Sequence, residues 1–251
     1  MKLTVTPAEQ FVFNVVRDAA QRLKQDVFVV GGFVRDRLLD VPCKDIDFVT
    51  TGDGPALAEA VNAAFGNAAS QLSVFKTFGT AMVRYEDWDL EFVGARKESY
   101  SKDSRKPNVV QGTLEDDQLR RDFTINALAF PLSGKDAYEI LDPFDGLADL
   151  NRKRIVTPLD PHQTFSDDPL RMMRAIRFAC QLKGFGIDPV TLDAITAMHD
   201  RIEIVSMERI HFELNKIISS DKPSKGFLLL DQTGLLHHIL PELEAMKGVE
   251  Q

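Results

Sequence analysis

Nowhere does the chain run to the roughly 18–20 consecutive apolar residues that a membrane-spanning helix requires. Its opening residues, MKLTVTPAEQ, also lack the basic-then-apolar layout of a secretory leader. No membrane partner is expected, and the cytoplasm is the expected compartment. Cysteine is scarce: Cys43 and Cys180 stand far apart, with no His or Cys at metal-ligand spacing. A disulfide framework and a zinc site are therefore excluded, and both are read as free thiols. The histidines, His162, His199, His211, His237 and His238, show no ligand spacing either. Net positive charge is missing as well. A formal charge of −8 does not suit a protein that coats nucleic acid non-specifically, because phosphate affinity comes from clustered Lys and Arg. Small basic groups do occur, at Arg96-Lys97, Lys102 with Arg105-Lys106, Arg120-Arg121, Arg152-Lys153-Arg154 and Arg171/Arg174/Arg177. A phosphate-loop lysine pattern and a dinucleotide fingerprint are both absent.

What is present is enough apolar material for a sizeable core: 44% of 251 residues. The first part alternates. AEQFVFNVVRDAAQRLKQ has helical periodicity, VFVV reads as a strand, GGFVRDRLL as a short helix, DIDFVT as a strand and PALAEAVNAAF as a helix, with TAMVRY and WDLEFVG as further strands. Beyond about Thr157 the β-rich runs give way to helices punctuated by Gly and Pro. The expected class is α+β: residues 1–157 form a mixed sheet with helices, and residues 158–251 are helical. The polar segment from Ala95 to Gln118 has no apolar period and reads as a long mobile loop.

The stretch VFVVGGFVRDRLLDVPCKDIDFVT joins a strand to a glycine pair, a short helix and a second strand. Gly31 and Gly32 let backbone approach a ligand such as a triphosphate, although a plain tight turn explains a glycine pair equally simply. Asp45 and Asp47 fall on one face of their strand, with Ile46 and Phe48 on the other. Two adjacent carboxylates repel unless solvated or bridged by a cation, and a hard cation such as Mg²⁺ takes one or two carboxylates together with substrate phosphates. Glu91, with Asp89 on the same face of WDLEFVG, is a candidate third acid. Asp122 is read as a helix N-cap or a functional acid, with the Arg120-Arg121 pair ahead of an amphipathic helix. Asp168 and Arg171, three residues apart, are expected on one helical face.

The ordered motifs GGFVRD…KDIDFV, RRDFTINALAF, DPFDGLADL, DDPLRMMRAIRFACQLKGF and ERIHFELNKII resemble those of class II tRNA nucleotidyltransferases, the CCA-adding enzymes and their bacterial poly(A) polymerase relatives. The match covers nearly the whole chain. The resemblance implies a polymerase-β-like head, a helical neck that selects the nucleotide, and the start of a helical body. It also implies Asp45 and Asp47 as ligands of Mg²⁺, with Glu91 as a third catalytic acid. Gly31, Gly32, Arg35, Asp36, Arg121, Asp122 and Asn126 are implied in the triphosphate site. Asp168 and Arg171 are implied as a protein template beside the nucleotide, and Arg174 and Arg177 are read with them as holding phosphate or simply pairing with acids. Asp167 stands where relatives usually carry Glu.

The implied reaction is addition of C, C and A to a tRNA 3′ end from CTP and ATP, without a nucleic-acid template. The implied partners are tRNA and the two nucleotides. Retention of ESYSKDSRKPNVVQGTLEDD, a full flexible loop by family standards, favours full CCA addition or A addition. The alternatives are a poly(A) polymerase or A-adding enzyme, and, in another class, a non-catalytic RNA-binding protein on the same fold. Because family members continue further, the chain is expected to be the front part of a longer protein.

Overall fold

A computed structural model of the chain describes residues 1–66, 70–75, 79–101 and 104–249. The elements in order are α1 (Pro7–Arg22), β1 (Val27–Val30), α2 (Gly32–Leu38), β2 (Asp45–Thr50), α3 (Gly54–Phe65), β3 (Ser70–Phe75), β4 (Thr80–Tyr85), β5 (Trp88–Gly94), β6 (Arg96–Ser101), β7 (Ser104–Gln111), α4 (Leu114–Leu119), β8 (Ala129–Pro131) and α5 (Gly146–Arg152). They continue with β9 (Arg154–Ile155), α6 (Pro161–Asp167), α7 (Leu170–Gln181), β10 (Gly186–Ile187), α8 (Pro189–Met198), α9 (Met207–Ile218), α10 (Pro223–Gln232), α11 (Leu235–Ile239) and α12 (Pro241–Ala245). Two compact units result. One comprises residues 1–99, 108–121 and 125–147, and the other residues 100–107, 122–124 and 148–251.

The first unit is built on a sheet in the order β3-β4-β5-β2-β1-β8. Strand β2 runs antiparallel to β1 and parallel to β5, so the sheet is mixed and the α+β expectation holds. Helix α1 starts where Thr6 caps Glu9 N–H and the Glu9 carboxylate caps Thr6 N–H in return, with Pro7 supplying the fixed first turn. Its apolar face carries Phe13, whose ring meets Phe33, Phe48 and Phe130 edge-on at centroid distances of 5.8, 6.2 and 5.8 Å. Each such fully buried ring contributes about 1.5–3 kcal/mol of transfer free energy. The Phe cluster packs α1 and α2 against β2 and β8.

From residue 148 on, the second unit is helical among its described residues apart from the two-residue parallel pair of β9 and β10. The helices follow the apolar periods read from the sequence, with α8 capped by Asp188 and begun by Pro189. No helix among the described residues is long and apolar enough to cross a membrane.

Two sequence expectations are corrected here, and one strand is added. The segment from Ala95 to Gln118 is not an irregular loop: its described parts are β6 and β7, paired as a separate two-stranded sheet, and α4, while residues 102 and 103 lie outside the described residues. The residues of those strands, RKESYS and SRKPNVVQ, show no apolar alternation to read. Helix α4 is announced instead by a capping box between Thr113 and Asp116. RRDFTINALAF is not an amphipathic helix but a 3-10 turn, Thr124–Asn126, followed by β8. Phe123, Ile125 and Phe130 are all buried, so the apolar spacing reflects a core-crossing segment. Finally, SQLSVF forms an edge strand, β3, that its mixed polarity concealed.

Candidate active site

In the first unit the site begins at β2. Asp45 and Asp47 point away from the core while Ile46 and Phe48 are fully buried, as alternation requires. The parallel register with β5 sets Asp45 beside Asp89 and Asp47 beside Glu91. The antiparallel register with β1 sets Val30 opposite Asp47, so the chain leaves β1 at Gly31 just where the Asp47 carboxylate stands. Four acids thus share one face. Asp89 is balanced by Arg84 at 3.0 Å. Glu91 is pushed above its ordinary carboxyl range, first by partial desolvation and then by the Asp47 charge, with Arg96 and Arg121 pulling the other way.

Because Glu91 has a raised folded pKa, its ionised form destabilises the fold, and the penalty appears as pH rises through that value. Glu91→Gln is therefore expected to raise the melting temperature by about 1–2 °C at neutral pH. Below the ordinary value of 4.5 it is expected to change nothing, and calorimetry at the two pH values checks this.

Gly31 sits at φ +77°, a conformation that favours glycine. A β-carbon there would lie 2.6 Å from Arg121 Nη1 and 3.3 Å from Asp47 Oδ2. The glycine's missing side chain therefore makes room for a guanidinium and a carboxylate of the protein itself, a tighter requirement than room for phosphate. Gly32 starts α2, with Arg35 Nη2 3.6 Å from the corresponding point. Arg35 is buried; its Nη1 donates to Asn126 Oδ1 at 2.5 Å and its Nε to Asp36 Oδ1 at 2.8 Å. The expected residues Gly31, Gly32, Arg35, Asp36, Asp45, Asp47, Glu91, Arg121 and Asn126 all fall within this unit.

One residue that sequence reasoning passed over is Asp117, whose side chain is 0% exposed. Its Oδ2 accepts from Arg121 Nε and Nη2 at 3.1 and 2.9 Å, and its Oδ1 accepts from Arg120. Burial works against an ionised Asp117, but the Arg121 and Arg120 guanidiniums outweigh it and hold the carboxyl below its ordinary value. The i,i+3 and i,i+4 spacing was the available signal.

The second unit holds the other expected residues. Asp168 is not on a helix with Arg171: it caps the end of α6 in extended conformation, and α7 begins at Leu170. Pro169 is the reason, since it disfavours helical backbone at the residue before it. The Asp168 carboxylate accepts from Leu170 N–H at 3.2 Å and pairs with Arg209 of α9 at 2.8 Å. Arg171 Nη1 reaches Thr164 O at 3.4 Å. Asp122 accepts from Phe123 N–H and from Arg174, whose Nη2 lies 2.6 Å away. Glu213, almost wholly buried, lies 2.6 Å from Arg177 Nε and 3.7 Å from Arg174 Nη1. Burial works against the charged form of Arg174, yet Asp122 and Glu213 outweigh it and raise its pKa. Arg209 and Glu213, both from ERIHFELNKII, were not picked out from the sequence.

As a cation site, the face of β2 and β5 offers hard carboxylate oxygens and an acid pair whose repulsion a cation would relieve. Among the described residues no three His, Cys, Asp or Glu converge as a ready-made cage. That fits a cation which takes its remaining ligands from phosphate and water, as Mg²⁺ does.

A mixed sheet with paired carboxylates on a central strand, a glycine turn and a braced arginine is the arrangement of a nucleotidyltransferase head. Residues 27–156, just over half of the chain, match the family described as "Poly A polymerase head domain", and the chain belongs to that family. Residues 184–247 match "Probable RNA and SrmB- binding site of polymerase A". The chain is 38% identical over 226 residues to the CCA-adding enzyme of Enterococcus faecalis (strain ATCC 700802 / V583), covering 87% of this chain and 51% of that protein. A solved CCA-adding enzyme in complex with CTP superposes at a TM-score of 0.82 with 29% identity, covering 95% of this chain and 54% of that one. A tRNA nucleotidyltransferase complexed with a primer tRNA and an incoming ATP analog superposes at 0.77 with 28% identity, covering 94% and 64%. The chain therefore spans between about half and just under two thirds of the length of these relatives. Nucleotidyltransferases of this family generally use divalent metals.

Proposed function

We propose that the chain carries the nucleotidyl-transfer centre of a tRNA nucleotidyltransferase that adds C, C and A to a tRNA 3′ end from CTP and ATP. The observation that supports this most is the register of Asp45 beside Asp89 and Asp47 beside Glu91, with Asp47 and Arg121 meeting at Gly31, in a chain of this family. Asp45 and Asp47 would hold the cation, Mg²⁺ in this reading. The chemistry a bound Mg²⁺ supplies is polarisation of a phosphoryl oxygen and a lowered pKa for an attacking hydroxyl. Arg121 binds and orients the triphosphate, and Arg35, tied to Asp36 and Asn126, fixes the turn below it. Glu91 keeps the face acidic beside Asp47.

In the second unit, Asp168 and Arg171 read the base. A carboxylate accepts from the exocyclic amino group of cytosine or adenine, whereas uracil and guanine present a carbonyl at that position. Arg209 orients Asp168 while leaving it further acceptor sites, since an ionised carboxylate has about four. Asp122, Arg174 and Arg177 act here by fixing α7 against Glu213.

The test is incubation of the chain with a tRNA lacking its last three nucleotides, with CTP, ATP and Mg²⁺. Products that stop at CCA support the proposal; long A tails in ATP alone would make the chain a poly(A) polymerase, and no extension would favour a non-catalytic RNA-binding role. In the same assay Asp168→Ala and Arg171→Ala are each expected to raise UTP or GTP incorporation about ten- to a hundredfold relative to CTP and ATP. Unchanged selectivity with a lower rate would make the pair structural.

A further inference from the structure

We propose that Asp117 is the positioning residue that holds Arg121 in the triphosphate site, over Gly31 and beside Asp47. The inference rests on the proposed function and goes beyond it, because Asp117 itself lies out of reach of solvent. A carboxylate with no exposure has to be matched by charge, and here two guanidiniums match it, one on each oxygen. The partition is unequal in its consequences. Arg120 caps the end of α4 and donates from its Nε to Asp117 Oδ1 at 3.0 Å. Arg121 presents its Nε and Nη2 edge to Asp117, while its Nη1 donates to Asn126 O at 3.3 Å and lies against Gly31.

Two anchors on adjacent edges of a planar fork leave the group little rotational freedom, and such pre-organisation is what an anion-binding guanidinium requires. Without Asp117 the long Arg121 side chain would have to be ordered by each incoming nucleotide, at the cost of its rotamer entropy. Gly31 completes the device. With φ at +77° and its β-carbon position taken by Arg121, it admits the guanidinium to the same spot that faces the Asp47 carboxylate.

The experiment is isothermal titration of CTP in Mg²⁺ into the wild-type chain, Asp117→Asn, Arg121→Ala and the double variant, with Arg120→Ala as a control that removes the other half of the buried cluster. Asp117→Asn is expected to weaken CTP binding about tenfold, and the double variant to bind no more weakly than Arg121→Ala alone. Arg120→Ala is expected to lose thermal stability yet keep CTP affinity within about twofold, because Arg121 stays braced. Inorganic tripolyphosphate should follow CTP across the series. Additive losses, or equal weakening by Arg120→Ala, would overturn the inference in favour of a general packing role, as would wild-type affinity in Asp117→Asn. Failure of the wild-type chain to bind CTP with Mg²⁺ would instead bring down the proposed function, and this inference with it.

Discussion

Asp45→Ala and Asp47→Ala are each expected to reduce nucleotidyl transfer by at least a hundred- to a thousandfold, roughly the cost of losing one charge-stabilising group at a reacting phosphate. The fold should be untouched. Neither side chain is in the core, where Ile46 and Phe48 supply the burial, and the acids sit at the solvent end of the alternation. Removing Asp47 also relieves the repulsion that raises Glu91, so its melting temperature should be equal to or slightly above wild type. Transfer rates together with a thermal melt check the pair. Retained activity, or a collapse of stability, would count against a role in holding the cation.

A large stability effect is expected in the other unit, from Glu213→Ala. The buried Arg177 and the partly buried Arg174 both face this carboxylate, at 2.6 and 3.7 Å. Removing one partner of a buried ion pair leaves an uncompensated charge and costs about 3–5 kcal/mol. For a chain of this size that is a fall in melting temperature of about 10 °C. Breaking the exposed Arg154–Asp188 pair, 3.0 Å apart, with Arg154→Ala is expected to cost less than about 1 kcal/mol. A thermal or urea melt of the two variants compares them directly; similar small losses would show that Glu213 is not the hub of this network.

How much of this was legible from the residues depended on the distance over which each contact acts. The turn from β1 to β2 was readable because burial, a glycine pair and strict alternation all speak within one segment. The helices of the second unit were readable for the same reason: apolar periods are local. Asp168 was misplaced because its partner, Arg209, is far away in sequence, and because Pro169 breaks the helical continuity that i,i+3 spacing assumes. For Arg174 and Arg177 the sequence left open whether they hold phosphate or pair with acids. Their acids, Asp122 and Glu213, come from other segments, and only folding pairs them. Asp117 is the instructive miss. Its contacts are local and its i,i+3 and i,i+4 spacing to Arg120 and Arg121 was a signal, but TLEDDQLRRD offers several acids and that spacing does not say which one is buried. Strands β6 and β7 went unread because a two-stranded pair held by backbone hydrogen bonds needs no apolar alternation.

The account stands or falls on the carboxylate face of β2 acting as a cation and nucleotide site. The direct measurement is equilibrium binding of radiolabelled CTP to the wild-type chain and to Asp47→Asn, each in Mg²⁺ and in EDTA. The predicted result is CTP binding by the wild-type chain that requires Mg²⁺, and loss of the Mg²⁺-dependent part in Asp47→Asn with an unchanged melting temperature. Equal CTP binding with and without the cation, or in the variant and the wild type, would contradict it.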